Sequence, residues 1–377
     1  MLIAAAILAI FVYGMIAAML GTILPDLSKR FNLTPKQNGN IAMAQAIGLI
    51  IASVSVGPLM DNQGKKVGLV LGLGLVALAL FSLPKSRGYR QIMVYLLLLG
   101  LGGGTIVTGA NTLVSDIGAE RRAMVMNFLN LFFGLGGLAT PFISANLLGR
   151  NSTRLCYLTA VLTAATLIIH FTAPIPPPTG ARGFQLSQAG ELLGHPALWL
   201  LALLLFLYVA AEVGVWNWLV RHLIAQGIDE KRALNILSLG FALGMLVGRV
   251  AVAPILITVS PQTVTLVAAI LMAATTCLAL QTRAPGVAWG AVFCAGLAMA
   301  PVFPTALAMV GNVFTVATAT AMGIVITSGW IGLAVSSPVI GAIAGEDPAR
   351  LKKALLVLPG LSLLMVAVNL ALRAVLR

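Results

Sequence analysis

Very few side chains in this sequence could do chemistry inside its long apolar runs. Glu212 is the only acidic residue well within such a run. Tyr208, Glu212 and Trp216 stand at i, i+4 and i+8, so a helix presents them on one face. An aromatic ring beside an acid suits a sugar: the ring takes the apolar C–H face and the carboxylate accepts hydroxyl hydrogens. An ionised carboxylate in hydrocarbon costs at least about 2.5 kcal/mol. Glu212 must therefore line a cavity, pair with another group, or hold a proton. Two uses stay open for it: handling of solute or proton, and a structural hydrogen bond to a neighbouring helix.

Amides form the next group. Asn127, Asn130, Gly134, Gly137 and Pro141 fall on one helical face. The small residues among them allow close helix packing, and each amide can contact a solute or bond between helices. Thr108 and Asn111 share a face of the preceding run, and Gln45 stands alone in an earlier one. Trp330, with Thr327 and Ser328, adds weaker cavity candidates. Arg249 lies near the end of its run, where it anchors a gate or snorkels to the interface.

His170 and His222 lie near run ends, which fits an interfacial role better than catalysis. There is no His-x-x-x-His, no Gly-x-Ser-x-Gly and no acid pair within one run. An intramembrane enzyme is therefore disfavoured. Cys156, Cys277 and Cys294 sit in apolar runs without a CxxC pair and read as small buried hydrophobes. The fourteen methionines read as packing. No metal and no cofactor is expected.

These residues are positioned by elements that composition identifies. Of 377 residues, 59% are hydrophobic and 9% charged, with a mean hydropathy of +1.02. Soluble domains carry roughly 25% charged residues, so the solvent of this chain is lipid. Only helices and closed barrels satisfy the backbone there. The apolar runs are about 20 residues long, which selects helices. The net charge of +13 is spread as single or paired Lys and Arg between runs, without a basic block, so no nucleic-acid partner is expected. The run beginning at Leu2 has no basic segment before it and is too long for a signal core, so it reads as a first span.

Spans are expected at 2–24, 38–60, 67–84, 91–114, 123–148 and 153–173, then at 197–220, 233–257, 262–281, 286–310, 318–345 and 352–374. That is six, a break, and six. The break at 174–196 contains Pro176-Pro177-Pro178, Gly180 and Gly183 and reads as a cytoplasmic linker. The expected domains are thus 1–173 and 197–377. A shift of 196 residues lays Gly48, Val54, Val56 and Pro58 on Gly244, Val250, Val252 and Pro254. The same shift lays Gly100-Leu101 on Gly296-Leu297, Ala110 on Ala306, Val114 on Val310 and Met126 on Met322. One ungapped shift over four spans implies two parallel six-helix repeats, with the solute site between them near mid-membrane.

Between spans two and three stands Gly57-Pro58-Leu59-Met60-Asp61-Asn62-Gln63-Gly64-Lys65-Lys66. It resembles the loop signature of the major facilitator superfamily. The resemblance implies an all-α membrane protein with twelve transmembrane helices in two six-helix bundles. It also implies a gating role for Asp61, Lys65 and Lys66, the carboxylate latching onto a neighbouring helix end, and Arg249 joins this gating set. A solvated turn with ordinary loop charges is the alternative.

A narrower resemblance concerns the fucose/galactose/glucose–proton symporter family. Gly102–Thr112 is similar to that family's fourth helix, Asn127–Asn130 to its fifth, Tyr208–Gly214 to its seventh and Ala300–Thr305 to its tenth. At the places of the fucose symporter's proton-linked acids this sequence has Gly21 and Val107, and Leu96 replaces the superfamily's arginine of helix four. Proton coupling, where it exists, then falls to Glu212.

The expected function is alternating-access transport of a small polar solute, best a monosaccharide, as proton symporter or facilitator. An exporter of drugs or amphiphiles is the alternative within the same fold. A monomer is expected in a bacterial cytoplasmic membrane, with the solute, protons and the lipid bilayer as partners. On the family's topology the cytoplasmic side carries eight of the 23 Lys and Arg, opposite to the positive-inside rule.

Overall fold

The structure is a computed structural model that describes residues 2–149, 151–177, 186–282, 284–344 and 348–376. Among these residues no strand occurs, and twelve helices are long and apolar enough to cross a membrane. The first six spans are Leu2–Phe31, Gln37–Gln63, Lys65–Lys85, Tyr89–Ile117, Ala119–Ser144 and Ser152–Thr172. The second six are Pro196–Ala225, Arg232–Thr258, Pro261–Gln281, Pro285–Val313, Thr318–Ala344 and Arg350–Val375. They are apolar all round, as membrane helices must be. Leu78, Val161, Ile168, Ile257 and Leu363 are each more than half exposed, which is costly in water and neutral in lipid.

The span boundaries differ in places from those read from the sequence. Span one runs through Pro25 to Phe31 instead of ending near residue 24. Membrane helices tolerate proline because neighbouring groups satisfy the freed backbone. Lys29 and Arg30 lie in the last turn, where cations favour the negative end of the helix dipole. Span ten does break at a proline: its α-helix stops at Met299 and resumes at Val302, around Pro301. Span eight contains a π-helical segment, Ile236–Ala242. The stretch expected as linker holds a nine-residue helix, Leu186–Gly194, and its residues 178–185 lie outside the described ones.

By packing, the chain forms two compact units. Unit one is Met1–Ala119, Leu129–Leu192 and Phe314–Thr327; unit two is Glu120–Phe128, Leu193–Val313 and Ser328–Arg377. The start of span five thus belongs with unit two, and the start of span eleven with unit one.

Each unit is built on a glycine contact, and the two contacts are copies. In unit one, a Cβ on Gly48 would strike the backbone at Leu97 and Leu101, and one on Gly100 would strike the Gln45 carbonyl. In unit two, a Cβ on Gly244 would strike Phe293 and Leu297, and one on Gly296 the Phe241 carbonyl. Every partner is shifted by the same 196 residues. With no hydrophobic force between helices in lipid, such backbone approach supplies the packing attraction.

One turn further along, the small residues are exchanged. Unit one pairs Ala52 with Gly104, and unit two pairs Gly248 with Ala300. A Cβ on Gly104 would lie 3.0 Å from that of Ala52 and 2.7 Å from the Leu49 carbonyl oxygen. Only one methyl fits at this crossing. Gly104→Ala is expected to lower stability by about 1–3 kcal/mol, and Ala52→Gly in the same chain to recover part of that loss. Thermal unfolding of the two single variants and the double variant checks this. Strict additivity would mean that the crossing is looser than the packing implies.

Candidate functional site

Two polar clusters can be built from the residues upward, one within each packing unit.

In unit one, span two ends at Gln63 and the chain turns at Gly64, whose φ of 93° lies in the region that favours glycine. This turn leaves Asp61 at the start of span eleven. Asp61 Oδ1 accepts from the Ala319 N–H (3.2 Å). Its Oδ2 accepts from the Thr320 N–H (2.8 Å) and the Thr320 hydroxyl (2.7 Å). These are first-turn donors without helical partners, and a carboxylate there is also favoured by the helix dipole. The approach needs small residues: a Cβ on Gly57 would lie 2.6 Å from the Ala319 carbonyl oxygen and the Thr320 Cα, and one on Gly323 would strike the Ser53 carbonyl. Val56, Met60 and Ala319 close an apolar patch beside the acid.

The two lysines of the loop do different things. Lys65, nearly buried, forms an ion pair with Asp116 at 2.6 Å. Lys66 donates to the Ala173 carbonyl at the end of span six (3.1 Å) and stands 5.9 Å from the Phe171 ring centroid. It therefore caps a helix C-terminus.

Two of the expected amides of spans four and five bond to each other. Asn130 donates to Asn111 Oδ1 (3.1 Å), and Asn111 donates to the Val107 carbonyl (2.8 Å). Thr108, Asn111 and Asn130 are all buried. The Asn130–Asn111 bond joins span five to span four. Gln45 is also buried.

In unit two, Asn127 donates to the Ala123 carbonyl (2.9 Å) and to Thr305 Oγ1 (3.1 Å). Its buried Oδ1 has no hydrogen-bond partner among the described residues. Asn127 and Asn130, on one face of span five, thus serve different units.

The acid of span seven lies in this unit as well. Glu212 is half-buried. Trp216 Nε1 donates to Glu212 Oε1 at a long 3.4 Å, and the indole is 39% exposed. Arg249, only 6% exposed, is an electrostatic partner of Glu212. Tyr208 is fully buried, with its hydroxyl toward the carboxylate but outside the geometry of a well-formed hydrogen bond. A carboxylate, an indole and a guanidinium inside apolar spans can take a small polar solute with a ring face. Trp330 is half-buried. Its neighbour Ser328 donates to the Ala202 carbonyl (2.6 Å), and Thr327 donates to Gly323 (2.7 Å).

Three participants escaped the sequence reading. Thr320 donates to the Asp61 carboxylate, yet a threonine after an apolar loop carries no signal. Thr305 partners Asn127. Phe241 meets Trp216 edge-on, with ring centroids 5.2 Å apart and planes at 80°. For Phe241 there was a signal, a one-residue slip between the repeats.

Among curated proteins, the chain is 23% identical over 266 residues to bypass of stop codon protein 6 of Saccharomyces cerevisiae, covering 63% of this chain and 53% of that one. It is 30% identical over 142 residues to the 4-hydroxybenzoate transporter PcaK of Pseudomonas aeruginosa (37% and 32%). It is 27% identical over 260 residues to the glucose/mannose transporter GlcP of Bacillus subtilis (64% and 63%). These matches thus span between about a third and under two thirds of the relatives' own length. Among solved structures, the fucose:proton symporter FucP of E. coli superposes with a TM-score of 0.84 at 19% identity over 98% of both chains, which is a likeness of fold. The family description "Major Facilitator Superfamily" matches residues 6–337. With that match over most of its length, the chain belongs to the Major Facilitator Superfamily, whose members are membrane transporters.

Proposed function

We propose that this chain is a secondary transporter that carries a monosaccharide across a bacterial cytoplasmic membrane by alternating access, as a monomer of two six-helix repeats, 1–173 and 197–377. The observation that carries the reading is the half-buried Glu212 accepting from the Trp216 indole, with Arg249 as its electrostatic partner. A pyranose offers both an apolar ring face and a rim of hydroxyl donors. The glucose/mannose and fucose transporters among the similar proteins agree with this class. Glu212 is also the group that would couple a proton, because Gly21 and Val107 cannot.

A second reading has its own support. Arg249 is a buried cation, and a 4-hydroxybenzoate transporter is among the relatives. A small aromatic acid would set its carboxylate on Arg249 and its ring on Trp216.

Purified protein in proteoliposomes is offered labelled D-glucose, D-mannose, L-fucose and 4-hydroxybenzoate, with and without an inward proton gradient. Uptake of a hexose is expected. Glu212→Gln is expected to abolish gradient-driven accumulation while exchange at equilibrium persists. Uptake of 4-hydroxybenzoate alone would replace the first reading by the second.

Asp61, as the latch of one gate state, works through three hydrogen bonds to span eleven. Hydrogen bonds to a charged group contribute about 1.5–3 kcal/mol. Asp61→Asn would turn an amide N–H toward a backbone donor, whereas Thr320→Ala removes one bond of the three. Turnover is expected to fall roughly tenfold or more in Asp61→Asn and less in Thr320→Ala, with equilibrium binding of the solute near that of the parent. Binding lost in parallel with turnover would contradict a latch.

A further inference from the structure

The two repeats keep different registers on either side of one short stretch. Before it, equivalent residues are 195 apart. Thr34 caps span two by accepting from the Gln37 N–H, and Asp229 caps span eight by accepting from the Arg232 N–H. Leu33 N–H donates to the Ser28 carbonyl, and Ile228 N–H to the Leu223 carbonyl. Tyr13 and Tyr208, both buried, also correspond at this shift. After the stretch the shift is 196. The Gln45 and Phe241 carbonyls stand against Gly100 and Gly296, and the backbone at Leu97 and Phe293 stands against Gly48 and Gly244. So Arg232 to Phe241 contains one residue more than Gln37 to Gln45.

That is where the helix widens into π turns, Ile236–Ala242. A π turn holds one extra residue within a local bulge, and such bulges occur often at functional sites. Here it lets both the Asp229 cap and the Gly244–Gly296 crossing keep the places that their counterparts have in unit one.

The bulge stands among three aromatic rings within unit two. Trp289 Nε1 donates to the Leu239 carbonyl inside the π segment (3.3 Å). The same indole lies 3.4 Å from where a Cβ on Gly240 would be. Phe241, fully buried, sets its ring edge-on to Trp216, the indole that reaches Glu212. The counterparts of Trp216, Phe241 and Trp289 in the first repeat are Gly21, Gln45 and Met93. The inserted residue and all three rings therefore occur together, in one repeat only.

We infer that span eight carries a one-residue insertion, absorbed as the π segment and held by Trp289, which positions Phe241 as the backstop of the Trp216 ring platform beside Glu212. Phe241 and Trp289 are positioning residues: they act on the solute through Trp216. The edge-to-face pair fixes the indole in one orientation, so a rigid ring such as a pyranose meets a preset face. This rests on Glu212 and Trp216 forming the solute site.

The test is 19F NMR of the full chain in lipid nanodiscs, labelled with 5-fluorotryptophan. The Trp216 resonance is the line lost in Trp216→Phe. Phe241→Leu, Trp289→Phe and deletion of Leu239 are each expected to move that line by more than its width. Phe241→Tyr is expected to keep it in place, as is the distant Trp199→Phe. An unmoved line in Phe241→Leu overturns the positioning role. A line that moves in Phe241→Leu but in neither Trp289→Phe nor the deletion overturns the part given to the insertion, and Trp289→Phe decides alone where the deletion variant does not fold.

In proteoliposomes, Phe241→Leu is expected to raise the KM for labelled D-glucose up to about tenfold at near-constant kcat. Glucose uptake unchanged by Trp216→Ala and Glu212→Gln would remove the solute site itself. The NMR result would still decide whether Phe241 and the bulge position the indole.

Discussion

Hydrocarbon offers no hydrogen-bond partners, and the architecture of this chain follows from that one condition. The backbone must satisfy itself, so the spans are helices. Side-chain hydroxyls turn back on the same helix, as Thr112 does to Thr108, Thr163 to Thr159 and Thr276 to Met272. Helices gain little by hiding apolar area from a lipid that is equally apolar, so they associate where glycine lets backbones touch. Polar groups that remain gain by finding a partner in the protein. Asn111 and Asn130 find each other, and Asp61 finds the unpaired N–H groups of a helix start.

The same condition explains what the sequence made legible. Span count follows from length and hydropathy, which lipid enforces directly. The repeat was visible because steric contacts at Gly48, Gly100, Gly244 and Gly296 tolerate no side chain, so those letters persist at a fixed spacing. The Asp61 loop was visible because acid, Gly64 and the basic pair each have a separate physical job.

Other features were hidden for reasons that are just as specific. A hydrogen bond between Asn111 and Asn130 leaves the same letters as two amides facing a solute, so the bond itself was not legible. Span one was placed too short because a length of about 20 apolar residues does not reveal that the helix runs on through Pro25 to Phe31. The π segment was hidden because comparing apolar letters at one shift hides a slip of one residue, while the paired caps Thr34 and Asp229 were available to expose it.

With the packing shared, the difference between the repeats lies at positions that packing leaves free. Where unit two has Glu212 and Trp216, unit one has Ala17 and Gly21, all on the corresponding face of the corresponding span. Ser53 answers to Arg249, and Gln45 to Phe241. In the other direction, Asp61 answers to Ile257, an exposed apolar side chain. Tyr13 and Tyr208, identical and buried in both, belong to the shared framework. A charged group in a membrane span is costly unless it is compensated. One repeat holds both Glu212 and Arg249, electrostatic partners that lower each other's cost. The asymmetry is therefore what lipid would select: a duplicated frame for packing, the helix-capping acid Asp61 in one copy, and the charged and aromatic groups Glu212, Arg249 and Trp216 in the other.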